Sequence, residues 1–386
     1  MGILLWATAR REARLELLDG MRAVAALFVV LTHGYSFSGV EGLPATAWLR
    51  HGRFAVDVFI VLSGFCLTLG AAREVARGRP FAFLPYLRRR ALRILPPYYA
   101  AVGLTLVLIA CVPDLATPSG RRWDIALPAT SPGVLLSHLL LVHNLDPAWV
   151  FKINGALWSV ATEWQIYFLF PVLLRVWHHA GMAAMVSLAC AGGAALHCAF
   201  GRSLDPAAPW YIGLFAMGMA AAALGLSEAE EHRRVREGVP WMAAAVVAAA
   251  LVPAARAWDA GWATRQMAAD TLAGAGTAAF LIWWCRDRRL GPPEPPAVVR
   301  VLSSRPLVGI GTFSYSLYLV HVPVIAVLDL WMHALPLGAA ARLGAYMAAS
   351  LAASLGVAYP FHLLFERPFM RLRRPLSSPA RGRPPR

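Results

Sequence analysis

Along residues 18–38 apolar side chains follow one another without the alternation of a half-buried strand, unbroken over 23–31, and the polar ones gather toward the two ends. A run so long and so uniformly apolar predicts a helix surrounded by apolar material on all sides. The same pattern returns at 54–72, 93–112, 156–177, 180–200, 207–226, 239–258, 266–285, 306–331 and 339–365. Each run is close to the ~20 residues that cross a hydrocarbon core. An eleventh apolar piece, 132–145, contains Pro132 and His138 and is about 14 residues long, which suits a re-entrant or interfacial segment better than a crossing. The expected fold class is an all-α polytopic membrane protein, with about ten transmembrane helices in one bundle. No internal repeat and no second soluble domain stand out.

Composition agrees. Of the 386 residues 58% are hydrophobic and only 15% charged, whereas soluble chains carry about a quarter charged residues. The net charge of +15 invites a nucleic-acid reading, but the arginines cluster between apolar runs, as positive-inside topology signals do. No nucleic-acid partner is therefore expected. With 132–145 kept on one side, 27 of the 36 basic residues fall inside, 9 fall outside, and both termini are cytoplasmic. Letting that segment cross would strand the basic tail outside. The division that follows is a cytoplasmic N-terminus (1–16), a transmembrane domain (17–368) and a basic, disordered cytoplasmic tail (369–386). The Pro-rich GPPEPP stretch, 291–296, reads as a loop. The basic N-terminus leads into an apolar run that keeps an arginine, so it reads as a retained first span and not a cleaved signal. The five cysteines form no CxxC pair and no zinc spacing, so neither a metal nor a redox role is expected.

This topology sorts polar residues by depth. Arg22 and His33 stand eleven positions apart on the first run, or about 16 Å at 1.5 Å per residue. Arg22 then lies near the cytoplasmic face. His33, Asp57, Glu163 and His321, on four separate runs, fall in one outer layer. Ionisable groups at such depth are expensive and usually face a bundle interior.

Several stretches resemble a known family. MRAVAALFVVLTHG (21–34) resembles the first helix of the membrane-bound acyltransferase-3 family, with its arginine, ten residues and histidine. FAVDVFIVLSGF (54–65) and YLRRRALRILPPYY (86–99) resemble its second-helix and cytoplasmic-loop motifs. LWSVATEWQIYFLFP (157–171), FSYSLYLVHVP (313–323) and FERP (365–368) follow in the family's order. Ala55 departs from the pattern, standing where glycine is common. The resemblance implies a fold of about ten helices that moves an acyl group, most often acetyl, from cytoplasmic acyl-CoA to an extracytoplasmic or membrane-associated hydroxyl. It implies a bacterial-type inner membrane, membrane lipids as surroundings, and no permanently bound cofactor. The acceptor expected is a cell-envelope glycan, with a macrolide-type small molecule as the alternative. No hydrolase-like domain is seen after the last run, unlike in fused members.

Under that resemblance His33 is the candidate general base, because an imidazole titrates near neutrality. The bland alternative is a buried histidine satisfying a neighbouring helix. Glu163 either orients the imidazole, as a triad carboxylate does, or only locks two helices. His321 and Tyr315 are expected to line the cavity or contact the acceptor. Asp57 shares that expectation, or it caps its helix start. Arg90 and Arg93, three apart and so on one helical face, are expected to hold the CoA phosphates, with Arg22 at the same mouth. Topology and lipid headgroups are the alternative, and suffice for Arg88 and Arg89. Ser63 and Gly64 are small residues that would leave room for the pantetheine arm. Ser159, four before Glu163, offers an acyl-serine route beside direct transfer from the thioester.

Two other classes fit the composition: a transporter or flippase with no covalent chemistry, and a non-catalytic member that only binds acyl-CoA or glycan. The ordered motifs favour the enzyme.

Overall fold

Long apolar runs in a low-dielectric setting must satisfy their own backbone, and helices do so. The computed structural model describes residues 12–40, 44–127, 130–290 and 295–372. Most of the expected N-terminal segment, most of the 291–296 loop and the tail beyond 372 lie outside the described residues. The helices are α1 (Glu12–Ser38), α2 (Arg53–Ala76), α3 (Phe83–Cys111), α4 (Pro132–Leu139) and α5 (Trp158–Phe200). Then come α6 (Tyr211–Leu226), α7 (Glu230–Gly238), α8 (Trp241–Ala257), α9 (Trp262–Leu290) and α10 (Ala297–Leu302). The last are α11 (Arg305–Thr312), α12 (Ser314–Met332), α13 (Ala339–Phe361) and α14 (Arg367–Leu372), the final two joined by a π-helical turn over His362–Glu366. The described residues contain no strand. The protein is an all-α polytopic membrane protein.

All ten apolar runs fall on helices, but not one to one. The runs 156–177 and 180–200 share α5, which breaks at Gly181, where φ is 88° and ψ 167°. The run 306–331 is divided between α11 and α12. Seven helices are long and apolar enough to cross a membrane, or eight if α7 and α8, bent by 61°, form one span. The shortfall of three from ten arises at α5, which carries two runs, and at α8 and α9. Helix α8 alone has 17 residues, and α9 carries Arg265, Gln266 and Asp270 in its first third. Segment 132–145 forms no span: α4 has eight residues, about 12 Å of helix. The hydroxyls of Tyr98 and Tyr99 hold it by donating to the carbonyls of His138 and Leu139 (2.9 and 2.7 Å).

Two features of the packing position the site. A Cβ on Gly64 would come 2.1 Å from the Phe215 carbonyl oxygen, and one on Gly218 would come 2.0 Å from that of Val61. Helices α2 and α6 therefore touch backbone to backbone, as small residues permit in membrane bundles. Gly64 is spent on this contact and not, as expected, on room for a substrate. On α12, Pro323 has no N–H for the carbonyl four residues before it. The Asn154 side-chain amide donates to that Leu319 carbonyl instead (2.8 Å), tying the loop before α5 to the stretch that carries His321.

Candidate active site

Two of the cavities between the helices take in the expected site residues. The first, about 340 Å³, is walled by α1, α2, α3, α5 and α12, and takes in Arg22, Ser63, Arg90, Arg93, Glu163 and Tyr315. The second, about 790 Å³, takes in His33, Arg53, Trp158 and Trp262. Both volumes are in the range of small-molecule sites. Only Val56 and Tyr318 line both, so they form the partition. The Tyr318 hydroxyl is fixed there by Ser159 Oγ at 2.7 Å.

Four arginines line the first cavity: Arg22, Arg73, Arg90 and Arg93. Arg22 Nη1 pairs with Asp19 (2.7 Å), while its Nη2 points at Cys66 Sγ (3.1 Å). Arg90 Nε is buried without a hydrogen-bond partner. Neither Arg90 nor Arg93 has a carboxylate partner among the described residues. Arg73 lies on the same wall, whereas Arg88 lines neither cavity. Guanidinium groups on a common wall are suited to bidentate phosphate contacts. Tyr315 is where it is expected, on this wall, donating to the Ile94 carbonyl (3.1 Å).

Glu163 is not where the orienting role would put it. It lines the first cavity, and its Oε1 accepts from Ser63 Oγ (2.5 Å) and from the Tyr167 hydroxyl (2.6 Å). Tyr167 follows it by one helical turn, so the carboxylate is held on the wall of the first cavity, whereas His33 lines the second. The expected Glu163–His33 contact is thus absent, and so is the Ser159–Glu163 pairing, since Ser159 is bonded to Tyr318 and to the Ala156 carbonyl (3.5 Å). Ser63 is a hydrogen-bonding wall residue and not a mere gap.

The partner of His33 is His321. Their rings meet edge to face, with His33 Nδ1 3.2 Å from His321 Nε2. His321 is fully buried behind His33 and lines neither cavity, which corrects the expectation that it contacts the acceptor. Its Nδ1 lies 2.7 Å from the Tyr318 carbonyl, and His33 Nδ1 lies 3.0 Å from the Val29 carbonyl. Carbonyls only accept. With both rings neutral, each Nδ1 must carry the proton, and His321 Nε2 is left as an acceptor for His33 Nδ1–H. The Nε2 lone pair of His33 is then free, on the wall of the second cavity.

Asp57 is also displaced from its expectation. Helix α2 begins at Arg53 with Gly52 as its N-cap and no side-chain capping bond, so Asp57 is a full turn inside. It is completely buried beside Asp270 and Arg53 and lines neither cavity. Four residues of this region were not singled out by sequence. Tyr318 and Tyr167 carried a signal, standing three before His321 and four after Glu163, on the same helical faces. Arg53 and Asn154 carried none that a single sequence shows.

Residues 15–359 match the family described as "Acyltransferase domain". The chain is 28% identical over 400 residues to "Acyltransferase MdmB" of Streptomyces mycarofaciens, covering 95% of each. It is 33% identical over 158 residues to "Protein 2 in picA locus" of Rhizobium radiobacter, covering 40% of this chain and 76% of the relative. It is also 31% identical over 166 residues to "O-acetyltransferase OatA" of Staphylococcus aureus, covering 42% of this chain and 25% of that one. No solved structure matches. With a match over nearly its whole described length, on a bundle whose two cavities meet at Tyr318, the chain belongs to the acyltransferase-3 family of integral membrane acyltransferases.

Proposed function

We propose that this protein is an O-acyltransferase of a bacterial-type inner membrane, moving an acetyl group from cytoplasmic acyl-CoA to a hydroxyl of a cell-envelope glycan. The observation that carries the reading is the His33–His321 pair, which leaves one imidazole nitrogen bare on a cavity wall.

The donor enters the first cavity with its phosphates on Arg90 and Arg93 and its thioester toward Tyr318. The acceptor enters the second cavity with its hydroxyl on His33 Nε2. As the acceptor oxygen attacks the thioester carbonyl carbon, His33 takes its proton. A C–O bond forms and the C–S bond breaks. The CoA sulfur leaves with the electron pair and receives that proton, so the products are an ester and a free thiol. The imidazolium that forms in passing is held by His321 Nε2, which accepts its Nδ1 proton bond. Glu163, with Ser63 and Tyr167, stands beside the donor path and holds its wall. The thioester must pass the Tyr318 partition to meet the hydroxyl.

The test is direct: detergent-purified protein, acetyl-CoA labelled in its acetyl group, and envelope glycan fragments. Label in the glycan supports the reading. Label that remains wholly in acetyl-CoA, with solute counterflow in proteoliposomes, would establish a transporter instead.

A further inference from the structure

The second cavity has a chemical bias that acyl transfer alone does not require. Three arginines line it, Arg50, Arg53 and Arg202. Its one lining carboxylate among the described residues, Asp205, is engaged by His197 Nδ1 at 2.6 Å. Arg53 is built in. Its Nε contacts Asp270 Oδ2 at 3.1 Å, and its guanidinium carbon lies 4.6 Å from the Trp158 ring centre and 5.4 Å from that of Tyr211. Asp270 is itself fixed by the Trp210 indole N–H (2.8 Å). With Asp270 and the buried Asp57 beside it, Arg53 still has a buried Nη2 with no hydrogen-bond partner. A buried N–H of a charged group without an acceptor is costly and calls for one. Arg202, exposed on the rim, has no carboxylate partner among the described residues. In the ten-span topology this mouth is the outer one, the side that the positive-inside bias keeps poor in arginine. Three of the nine basic residues assigned to that side line this single cavity. Trp158, Trp262 and Phe151 complete the walls, flat faces suited to a ring-bearing ligand.

We propose that the second cavity selects an anionic acceptor: a ring-bearing polyol whose carboxylate or phosphate is gripped by Arg53 and Arg202 while a hydroxyl of the same molecule reaches His33. This rests on the acyl-transfer reading only for the role of the hydroxyl; the anion site stands on its own geometry. It narrows the acceptor to acidic glycans or phosphate-linked sugars, and argues against neutral ones.

The test measures binding to the detergent-purified full chain, read by tryptophan fluorescence or thermal shift. The probes are methyl β-D-glucuronide, glucose 6-phosphate and neutral methyl β-D-glucoside. Both anionic probes should bind about tenfold or more tightly than the neutral one, and the stronger of the two tells carboxylate from phosphate. Arg202→Gln, at an exposed position, should abolish most of that preference. Arg53→Lys, which keeps a charge for Asp270 but loses the fork, should weaken it. Acyl-CoA binding in the first cavity should be unchanged in both variants. Equal binding of charged and neutral probes, preference retained in both variants, or no saturable binding of either anion would each overturn the proposal. Because no turnover is read, absence of acyl transfer with the preference intact would sink the catalytic reading alone.

Discussion

His33 Nδ1 faces His321 Nε2 across 3.2 Å, and the Tyr318 carbonyl holds the far side of His321 at 2.7 Å. In the proposed mechanism the chain from backbone carbonyl to imidazole to imidazole does what a carboxylate does in a hydrolase triad, fixing the tautomer of the base. It uses no formal charge, which suits the buried position of His321, where an unpaired carboxylate is expensive.

His33→Ala should therefore abolish acyl transfer while leaving expression and thermal stability nearly unchanged. His321→Ala should lower kcat by about 10²-fold or more, within the usual worth of general-base catalysis, with little change in either KM. His321→Gln, whose amide can still accept from His33 Nδ1–H, should recover part of the loss. Rate measurements at saturating donor and acceptor check this. Equal damage from alanine and glutamine would make His321 a packing residue and not a positioning one.

Arg90 and Arg93 are predicted to hold the donor. Each charge-assisted bond is worth roughly 1.5–3 kcal/mol, so replacing either with glutamine should weaken acyl-CoA binding about tenfold or more. Acceptor KM should not move, and lysine should rescue only partly. Binding of a non-hydrolysable acyl-CoA analogue gives the answer; an unchanged affinity in the double glutamine variant would return these arginines to topology and lipid contact.

Much of this was legible in the sequence, and the misses share a cause. The apolar runs marked every long helix because their length is a one-dimensional property. The motif residues Arg22, Arg90, Arg93 and Tyr315 line one cavity, and His33 lines another. The pairing of those residues was not legible. Depth along a helix says nothing of azimuth, so Glu163 and His33 could share a layer on paper while facing different chambers. Gly64 likewise reads as empty space until Phe215 is seen to occupy it. Arg53, just before an apolar run, carried no signal of its own, and it lines the wall of the second cavity.

Tyr318 is predicted to gate the two chambers. Tyr318→Ala removes the partition and the Ser159 bond at once, so water should reach the thioester. Acyl-CoA hydrolysis without acceptor should rise while transfer falls. Tyr318→Phe keeps the bulk and should stay close to wild type in hydrolysis. A thiol-release assay without acceptor separates the two; alanine and phenylalanine variants that hydrolyse alike would remove the partition from the account.

Topology can be read independently. A reporter fused after Arg122 should be extracytoplasmic and one after Arg236 cytoplasmic, because α4 is too short to cross between them. An extracytoplasmic signal at both sites would mean that segment 132–145 crosses, and would remove the common depth assigned to His33, Glu163 and His321.

The most direct test of the central claim is a single-turnover experiment with acetyl-labelled acetyl-CoA and an envelope glycan acceptor, comparing wild type with His33→Ala at equal donor occupancy. The account predicts label transferred to a glycan hydroxyl by the wild type and none above background by the variant, with acetyl-CoA bound equally by both. Transfer by His33→Ala at a near-normal rate would contradict it.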